Sequence, residues 1–324
     1  MTLKPLPWIL RRLLFAIPVV AGITGLTFVL IHLAPGDPIY ALAGDGGSPA
    51  YYADMRAKYG LDRSILDQFV RYVSAVASGD FGYSFMFQSP VLTLLRDHAA
   101  ASIVLGSAAL IIGSVAGFTA GALCALTGSR LFDTLVRAGA SITYAAPVFW
   151  TGQVLIMVAA GKLEWLPVAG LGTAREQLTG LAWFTDAARH LVLPATTLSL
   201  PLAAVVARVS RASILDGLGE PHVRAVYARG LSRDGVVMRH VVPGAMVPVV
   251  ALIGQHAGDI VAGAALTESL FGWPGVGYLV LHASLHRDFP LVTAAFIMIS
   301  SSVVLFNALT DAAVGWLDPR IGLR

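Results

Sequence analysis

The chain has 324 residues, of which 56% are hydrophobic and 13% are charged, and its formal net charge is +3. Soluble domains carry roughly twice this charged fraction, so the chain cannot cover itself with a polar surface and lipid must be part of its solvent. The near balance of charge argues against a nucleic-acid-binding protein, which would show a dense basic face. The single cysteine, Cys124, leaves neither a disulfide framework nor a cysteine-rich metal site.

Six apolar stretches, nearly free of Asp, Glu, Lys and Arg, predict membrane-spanning helices, because a bilayer core needs about 20 apolar residues per helix. The stretches are residues 13–34, 102–126, 138–160, 191–207, 241–262 and 291–310. The fourth contains Pro194 and Pro201, which predict a kink or a local opening of that helix. The first, in an N-terminal segment 1–34, is too long for a signal peptide and is expected to remain as an anchor. The pattern predicts an all-α integral membrane protein with six transmembrane helices.

The distribution of basic residues predicts the orientation of these helices. If the N-terminus is cytoplasmic, the inner segments hold 13 of the 22 Lys and Arg residues but 5 of the 19 Asp and Glu residues. These inner segments are residues 1–12, 127–137, 208–240 and 318–324. Cytoplasmic loops typically carry such an excess of positive charge. Both termini are therefore predicted to be cytoplasmic.

Residues 35–100 are predicted to form an external loop with amphipathic helices. Apolar side chains recur there at helical intervals, at Leu61, Ile65, Phe69, Val73 and Val76. Polar residues lie between them, so this segment predicts an amphipathic helix that rests on another surface outside the membrane. Lipid headgroups are one candidate for that surface.

The inner segment between the fourth and fifth stretches contains a short cationic hook, residues 221–232. Pro221 suits the first position of a helix, because a first-turn residue needs no amide donor. Gly230 is placed to end this helix in the left-handed conformation, and Ser232 can cap a second helix. Both helices are expected to continue into the fourth and fifth spans.

Two faces are predicted for the first helix of the hook. Val223, Val226 and Tyr227 recur at intervals of three and four residues and form an apolar face, while Arg224 and Arg229 project elsewhere. One interpretation is a loop whose arginines meet anionic lipid. The other is a docking element for a second protein.

Three polar side chains within the spans are candidates for a translocation pathway, because polar groups inside a membrane often mark one. They are Gln255, Asp259 and Asn307. Gln255 and Asp259 are four residues apart and so share a helical face. Alternatively, Asp259 lies close enough to the outer surface to be solvated. No metal site is predicted, since His256 has only Asp259 as a nearby co-ligand.

Signatures of catalysis are missing from the sequence. None of the three lysines, Lys4, Lys58 and Lys162, lies in a phosphate-binding G-x-x-x-x-G-K-[ST] loop, so energy from ATP would have to come from a partner. Neither H-E-x-x-H nor G-x-S-x-G occurs. We therefore predict no catalytic residue, no enzyme activity and no cofactor bound by this chain.

Residues 224–230, with the sequence RAVYARG, resemble the EAA loop of ABC-importer permeases, in the variant typical of the dipeptide/oligopeptide/nickel family. The flanking residues that stand at matching places are Leu231, Ser232, His240 and Pro243. The chain departs from the family's usual pattern at Ala225, where Thr is usual, and at Val226, where Ala is usual.

Further segments along the whole chain resemble the B-type inner-membrane permease of this family. They are APGDP (34–38), YGLDRSILDQF (59–69), GDFGYSF (79–85), PVFWTG (147–152), TESLFGWPGVG (267–277) and LDPRIG (317–322). Each segment is a weak signal by itself. Together, in this order and at these spacings, they are specific to the family.

The resemblance implies the type I ABC importer permease fold in a bacterial inner membrane, with a permease core at 101–324 and a coupling loop at about 211–240. The implied ATPase-coupling residues are Pro221, Val223, Arg224, Ala225, Val226, Tyr227, Arg229, Gly230 and Leu231. An outer gate or mouth is implied at Glu268, Phe271, Trp273 and Pro274. The apolar face of the hook would fill a groove of the ATPase, while its arginines would orient it.

The implied partners are a second homologous permease subunit in a heterodimer, two ATP-binding subunits that carry ATP and Mg²⁺, an external solute-binding protein and membrane lipid. The implied cargo is a di- or oligopeptide, and a nickel chelate or a small glycoside is the alternative within the family. A membrane enzyme and a channel are the competing classes. An enzyme would need convergent catalytic side chains within the spans, and a channel would need no dock for an ATPase.

Overall fold

The computed structural model describes residues 5–33, 46–59, 61–84, 86–173 and 178–317. Side chains at 5–16, 31, 58–59, 259, 261–263 and 317 are not among those described. In the described ranges the chain is helical apart from connecting turns and one short hairpin, which confirms the predicted all-α class. It divides into two compact units, the first formed by residues up to 101 with 274–302 and the second by 102–273 with the residues from 303 onward.

The helices follow one another along the chain with short connections. They are α1 (Pro5–Leu33), α2 (Pro49–Tyr59), α3 (Ile65–Ala77), α4 (Val91–Thr127), α5 (Arg130–Ala145), α6 (Val148–Leu155), α7 (Gly180–Gly219), α8 (Pro221–Ala228), α9 (Arg233–Val236), α10 (Val242–Leu270), α11 (Val276–Leu285) and α12 (Phe289–Leu317). The strands β1 (Tyr83–Ser84) and β2 (Ser89–Pro90) form an antiparallel hairpin. A π-helical segment, Ile156–Lys162, continues α6, and another, Val237–Val241, joins α9 to α10.

Four helices among the described residues are long and apolar enough to cross a membrane. They are Val91–Thr127, Gly180–Gly219, Arg233–Gly258 and Phe289–Trp316, and they coincide with the predicted second, fourth, fifth and sixth spans. The first predicted span lies on α1, whose apolar part with described side chains, Ile17–Leu30, is shorter. The number of spans and the side on which the termini lie therefore stay predictions.

The third predicted span, residues 138–160, is not one straight helix. The axis bends by 109° between α5 and α6 with its π-helical continuation. Ala146, at the bend, has the extended ψ of 133°, because the ring of Pro147 sterically disfavours a helical conformation at the preceding residue. The prediction of an uninterrupted helix is wrong here, and the segment is a broken span or a re-entrant turn.

Helix α7 is much longer than the apolar stretch that predicted it. Its 40 residues correspond to about 60 Å of helix, roughly twice the thickness of a bilayer's hydrocarbon core. It continues through Pro194 and Pro201 as one helix. Of the two predicted alternatives, a local opening at these prolines is therefore wrong, and a kink stays a prediction. The polar residues at both ends were left out of the predicted span because hydropathy detects only the part in lipid.

The first unit has an apolar core at the start of α4, within α11 and at the start of α12. Its buried members are Val91, Leu95, Val276, Ala283, Leu291, Ala294 and Ala295. The β1–β2 hairpin is held by the buried carboxylate of Asp288, which accepts hydrogen bonds from the Ser84 hydroxyl at 2.5 Å and from the Met86 amide at 3.2 Å. The same carboxylate accepts from the Leu291 amide at 3.4 Å, so it also caps α12.

In the second unit, glycines bring helices into contact at the level of the backbone. A Cβ added at Gly117 of α4 would lie 2.6 Å from the carbonyl oxygen of Ala203, and one added at Gly121 would overlap the carbonyl oxygen of Ala207. Both partners belong to α7. Small residues allow such close packing of helices in membrane proteins. The α4–α7 contact therefore depends on these glycines.

Candidate functional site

The backbone of the hook follows the predicted start and stop signals. Helix α8 begins at Pro221, and Gly230 has a φ of +81°, the left-handed conformation expected of a residue that ends a helix. The Gly230 amide donates to the carbonyl of Tyr227 at 3.0 Å. The Ser232 hydroxyl accepts from the Gly235 amide at 3.4 Å, which is the predicted cap of α9. These three local predictions, for Pro221, Gly230 and Ser232, are confirmed.

The apolar face of α8 points into the protein. Val223 is fully buried in one cluster with Ile214 of α7, with Val236 of α9 and with Val241. Val226 and Tyr227 are partly buried against the same cluster. The expectation that this face fills a groove of another protein is therefore wrong for Val223. Its role is to hold α8 on α7 and α10, and burying one such side chain contributes about 1.5–3 kcal/mol.

The outward face of the hook consists of the remaining residues of α8 and the turn that follows it. Its members are exposed: Pro221, His222, Arg224, Ala225, Ala228, Arg229, Gly230 and Leu231. Ala225 and Ala228, between Arg224 and Arg229, have small side chains that leave the helix backbone accessible to a partner. The guanidinium groups of the two arginines are longer than these side chains. This face can form a compact, cationic contact surface.

The hook is connected differently to the helices before and after it. Glu220, between α7 and α8, is extended with φ −64° and ψ 138°, so the expected continuation of the hook into the fourth span is wrong. Downstream, α9 continues through the π-helical segment into α10, as expected. The guanidinium of Arg233 donates to the carbonyl of Leu126 at 2.9 Å, which ties the start of α9 to the end of α4.

The predicted pathway residues lie on two neighbouring helices. Gln255 is next to Gly254 of α10, where an added Cβ would overlap the side chain of Thr310 of α12. Asn307 precedes Thr310 by one turn, and both Gln255 and Asn307 are exposed in the isolated chain. The side chain of Asp259 lies outside those described. A role of these three residues in a pathway stays a prediction.

The residues predicted for an outer gate lie inside the protein. Glu268, Phe271 and Trp273 are buried, with exposed fractions of 0%, 1% and 1%, and Pro274 is partly buried. The Ser102 hydroxyl donates to Glu268 Oε1 at 2.6 Å. The helix is interrupted between α10 and α11, where Gly and Pro residues are frequent in the sequence. In this conformation the first three residues are part of the packed interior, and a gating role stays a prediction.

An ion pair close to the hook was not predicted from the sequence. The Arg211 guanidinium donates two hydrogen bonds to the Asp133 carboxylate and holds the pKa of that carboxyl below its ordinary value. In addition, the Arg208 guanidinium lies 4.9 Å from the centroid of the Tyr144 ring. Opposite charges in two inner segments were a weak signal, because a separation of 78 residues gives no indication of contact.

Among the described residues, no group of three or more His, Cys, Asp or Glu side chains is arranged to hold a metal ion. The hook presents two exposed guanidinium groups on a short helix that is held from within by Val223. Such a surface can recognise a protein by charge and shape.

Comparison with known proteins identifies the family. Residues 117–323 match the family of binding-protein-dependent transport system inner membrane components, and residues 6–106 match the N-terminal region of such membrane components. The chain is 36% identical over 334 residues to the dipeptide transport system permease protein DppB of Escherichia coli (strain K12), with 98% of each chain covered. It is 36% identical over 331 residues to the di/tripeptide transport system permease protein DppB of Pseudomonas aeruginosa (strain UCBPP-PA14), again with 98% of each chain covered.

A solved structure supports the fold. The inward-facing MetNI methionine ABC transporter aligns with a TM-score of 0.56 at 16% identity, covering 70% of this chain and 97% of that chain. At this identity the likeness concerns the fold alone, which is that of an ABC importer permease. The sequence matches and the helical architecture agree, and the chain belongs to the family of binding-protein-dependent transport system inner membrane components.

Proposed function

We propose that this chain is the permease subunit of an ATP-driven importer, where it forms half of the translocation pathway for di- or oligopeptides. The observation that carries the proposal is the hook: a short helix held from within by Val223 that presents Arg224 and Arg229 outward. Relatives that are named dipeptide and di/tripeptide permeases match over nearly the whole chain, which supports a peptide cargo.

The proposed assembly supplies what this chain lacks. A second homologous permease subunit would complete the pathway, two ATP-binding subunits on the cytoplasmic side would bind ATP and Mg²⁺, and an external solute-binding protein would deliver the cargo. Arg224 and Arg229 would steer and orient the contact with an ATP-binding subunit, since charges at the rim of an interface mainly set encounter and register. The hook would be the part of this chain on which that subunit pushes.

A displacement of the hook would reach α7 through side-chain packing and α10 through a continuous helix. Towards α7 the chain is extended at Glu220, so force would pass through the contact of Val223 with Ile214. Towards α10 the helix is continuous from Arg233. A displacement of the hook would therefore re-aim both helices as rigid elements, which is the form of change that alternating access requires.

A test of the docking role compares two charge reversals in the complete transporter reconstituted in proteoliposomes. Arg224→Glu combined with Arg229→Glu is expected to lower both the yield of co-purified ATP-binding subunit and peptide uptake several-fold. Arg130→Glu, in the neighbouring predicted inner segment and equally exposed, is the matched control and is expected to retain both. Full co-purification and uptake by the double variant would contradict the docking role.

The cargo is tested on the external binding protein, which does most of the selecting in such systems. Calorimetry against di-, tri- and longer peptides is expected to give binding, and nickel chelates and small glycosides are expected to give none. Binding of a nickel chelate or a glycoside in place of peptides would assign the alternative cargo. The docking role of the hook would be unaffected by that result.

A further inference from the structure

Helix α3 packs on the end of α1 through one of its faces. The Phe28 ring lies 5.1 Å from the Phe69 ring, edge to face, and 5.7 Å from the Tyr72 ring, stacked. One turn further along α1, His32 Nε2 lies 3.2 Å from Gln68 Oε1. Two aromatic contacts and one polar contact therefore fix α3 against the last turns of α1.

This contact sets the depth of α3 relative to a bilayer. Phe28 and His32 lie in the last part of the apolar stretch 13–34, and the next charged residue in the sequence is Asp37. A helix that packs at the end of a membrane-spanning stretch lies near the boundary between hydrocarbon and headgroups. Helix α3 also carries charged side chains, which are costly within the hydrocarbon.

A second face of α3 is apolar and uncovered. Leu66, Val70 and Val73 recur at intervals of four and three residues, so they form one stripe, and their exposed fractions are 72%, 58% and 38%. Ile65, at the start of the face that carries Phe69 and Tyr72, is also exposed, at 65%. No residue of α3 is buried. The stripe lies between the face that contacts α1 and a polar face.

The polar face is suited to water and headgroups. Its residues are Arg63, Asp67, Arg71, Ser74 and Ser78, all exposed. Arg63 and Asp67 form an ion pair at 3.6 Å with both side chains about half exposed. Such an exposed ion pair contributes little to stability, so both side chains are free to remain in solvent. An apolar stripe on one side and charged groups of both signs on the other are typical of a helix that lies in a membrane interface.

We infer that α3 is an interfacial anchor, whose stripe of Leu66, Val70 and Val73 is inserted into the phospholipid leaflet at which α1 ends. The end of α1 also exposes apolar residues, namely Leu26, Val29, Leu30 and Leu33. The three aliphatic side chains of the stripe expose a few hundred Å², less than the roughly 800 Å² per partner of a stable protein interface. Insertion into a lipid leaflet does not require a minimum contact area of this kind.

This inference goes beyond the proposed function, because it concerns how the segment after α1 is held and not what is transported. An anchored α3 would keep the hairpin that follows it, residues 83–90, at a fixed height above the membrane. Transport activity is therefore not needed as a readout, and the experiment can succeed or fail independently of the cargo and of the ATPase contact.

The experiment places a fluorescent NBD group on single cysteines in the complete transporter, in a Cys124→Ala background, within nanodiscs of phosphatidylethanolamine and phosphatidylglycerol. Val70→Cys and Val73→Cys report on the stripe, and Arg71→Cys on the polar face is the control. On the stripe, we expect blue-shifted emission, quenching by lipids brominated on their acyl chains, and iodide quenching several-fold weaker than at position 71. Because two stripe positions are labelled, the test remains informative if one of the two variants does not fold.

Two outcomes would overturn the inference. One is iodide quenching at both stripe positions as strong as at position 71, which would leave the stripe in water. The other is protection from iodide without quenching by brominated lipid, in particular protection that depends on adding the external binding protein. That result would assign the stripe to a protein partner.

Discussion

Arg211 holds the carboxylate of Asp133 with two hydrogen bonds, from Nε to Oδ1 and, at 2.9 Å, from Nη2 to Oδ2. A bidentate pair of this kind fixes the orientation of both side chains. Asp133 belongs to the first turn of α5, and Ile214, one turn beyond Arg211 on α7, belongs to the cluster that holds Val223. The ion pair therefore joins α5 to the part of α7 on which the hook rests.

The first prediction concerns the pH dependence of this ion pair. The hydrogen bond from Arg211 lowers the pKa of Asp133, so the folded state favours the charged carboxylate. Its contribution to stability is present above the ordinary carboxyl pKa of about 4 and is lost as the pH falls through the lowered pKa. Asp133→Asn is expected to lower the unfolding temperature at neutral pH and to reduce its fall between pH 5 and pH 3, as measured by thermal unfolding in detergent.

Asp67→Asn is the matched control for that prediction, because Asp67 pairs with Arg63 in an exposed position where an ion pair contributes little. Its unfolding temperature is expected to stay close to that of the wild type at neutral pH. Equal effects of the two substitutions would show that the Asp133–Arg211 pair has no special role.

The second prediction concerns the glycines between α4 and α7. A Cβ at Gly117 would lie 2.6 Å from the carbonyl oxygen of Ala203, so Gly117→Ala forces the helices apart. We expect a loss of about 1–3 kcal/mol, the usual cost of overpacking. Gly139→Ala in α5 makes the same chemical change where an added Cβ meets nothing within 4 Å, and it is expected to be neutral or stabilising by up to about 1 kcal/mol. Unfolding midpoints in denaturant compare the two variants, and equal losses would contradict the packing argument.

Local features of the hook could be predicted from the sequence because each depends on few neighbours. Pro221 fixes its own φ, Gly230 tolerates a positive φ and Ser232 has a hydroxyl within reach of the amides that follow it, and all three act as expected. The direction of the apolar face could not be predicted in this way. Val223 points inward because Ile214 and Val241 lie beneath it, and that arrangement depends on how distant helices pack.

The ends and the straightness of the membrane-spanning helices could not be predicted from the sequence either. Hydropathy located the helices because lipid selects apolar residues, but it could not locate their ends. Helix α7 begins at Gly180 and ends at Gly219, far outside the apolar stretch, since polar residues continue a helix freely once it leaves lipid. The bend at Ala146 follows a local rule for the residue before proline, yet the uninterrupted apolar run over residues 138–160 predicted a single straight helix. Glu268 was predicted at a mouth, and only packing reveals that it is buried.

The third prediction concerns the hydrogen-bonded pair of Ser102 and the buried Glu268. The Ser102 hydroxyl donates to Glu268 Oε1 at 2.6 Å, and Glu268 is fully buried. Removing the Ser102 hydroxyl takes one hydrogen-bond donor away from a buried carboxylate, which costs about 1–3 kcal/mol. We expect Ser102→Ala and Glu268→Met, which lacks an acceptor oxygen, each to destabilise, and the double variant to lose less than the sum of the two. Unfolding in denaturant gives this double-mutant cycle.

Ser107→Ala is the control for the cycle, since Ser107 is exposed on the same helix. A change within about 0.5 kcal/mol is expected for such a surface substitution. Strict additivity of Ser102→Ala and Glu268→Met would mean that the hydrogen bond does not couple α4 to α10.

The fourth prediction concerns the hairpin that Asp288 holds. Its carboxylate accepts from the hydroxyl of Ser84, from the amide of Met86 and from the amide of Leu291. Asp288→Ala is expected to release the hairpin and to cost about 0.5–2 kcal/mol through the lost cap of α12. Hydrogen exchange and limited proteolysis at residues 83–90 are expected to increase. Asp97→Ala, at an exposed position, is the control, and unchanged exchange in Asp288→Ala would contradict the assigned role.

The last prediction concerns the backbone of the hook at Gly230. An added Cβ there meets nothing within 4 Å, so the effect of Gly230→Ala comes only from the φ of +81°, which costs a residue with a side chain about 1–2 kcal/mol. Gly230→Asn is expected to cost less, because Asn tolerates the left-handed conformation. Gly219→Ala, just before the hook and equally free of contacts, has no positive φ and is the matched control.

Gly230→Trp adds bulk to the outward face at the same place. We expect the protein to reach the membrane in normal amount, because the spans are unchanged, while peptide uptake falls relative to ATP hydrolysis in the reconstituted transporter. Gly230→Trp could impair coupling either by obstructing the contact or by distorting the turn, and Gly230→Ala separates these two causes. A loss of coupling in Gly230→Trp but not in Gly230→Ala indicates obstruction of the contact. An equal loss in both variants indicates a distorted turn. Uptake at the wild-type level by Gly230→Trp would exclude this turn from the proposed contact with an ATP-binding subunit.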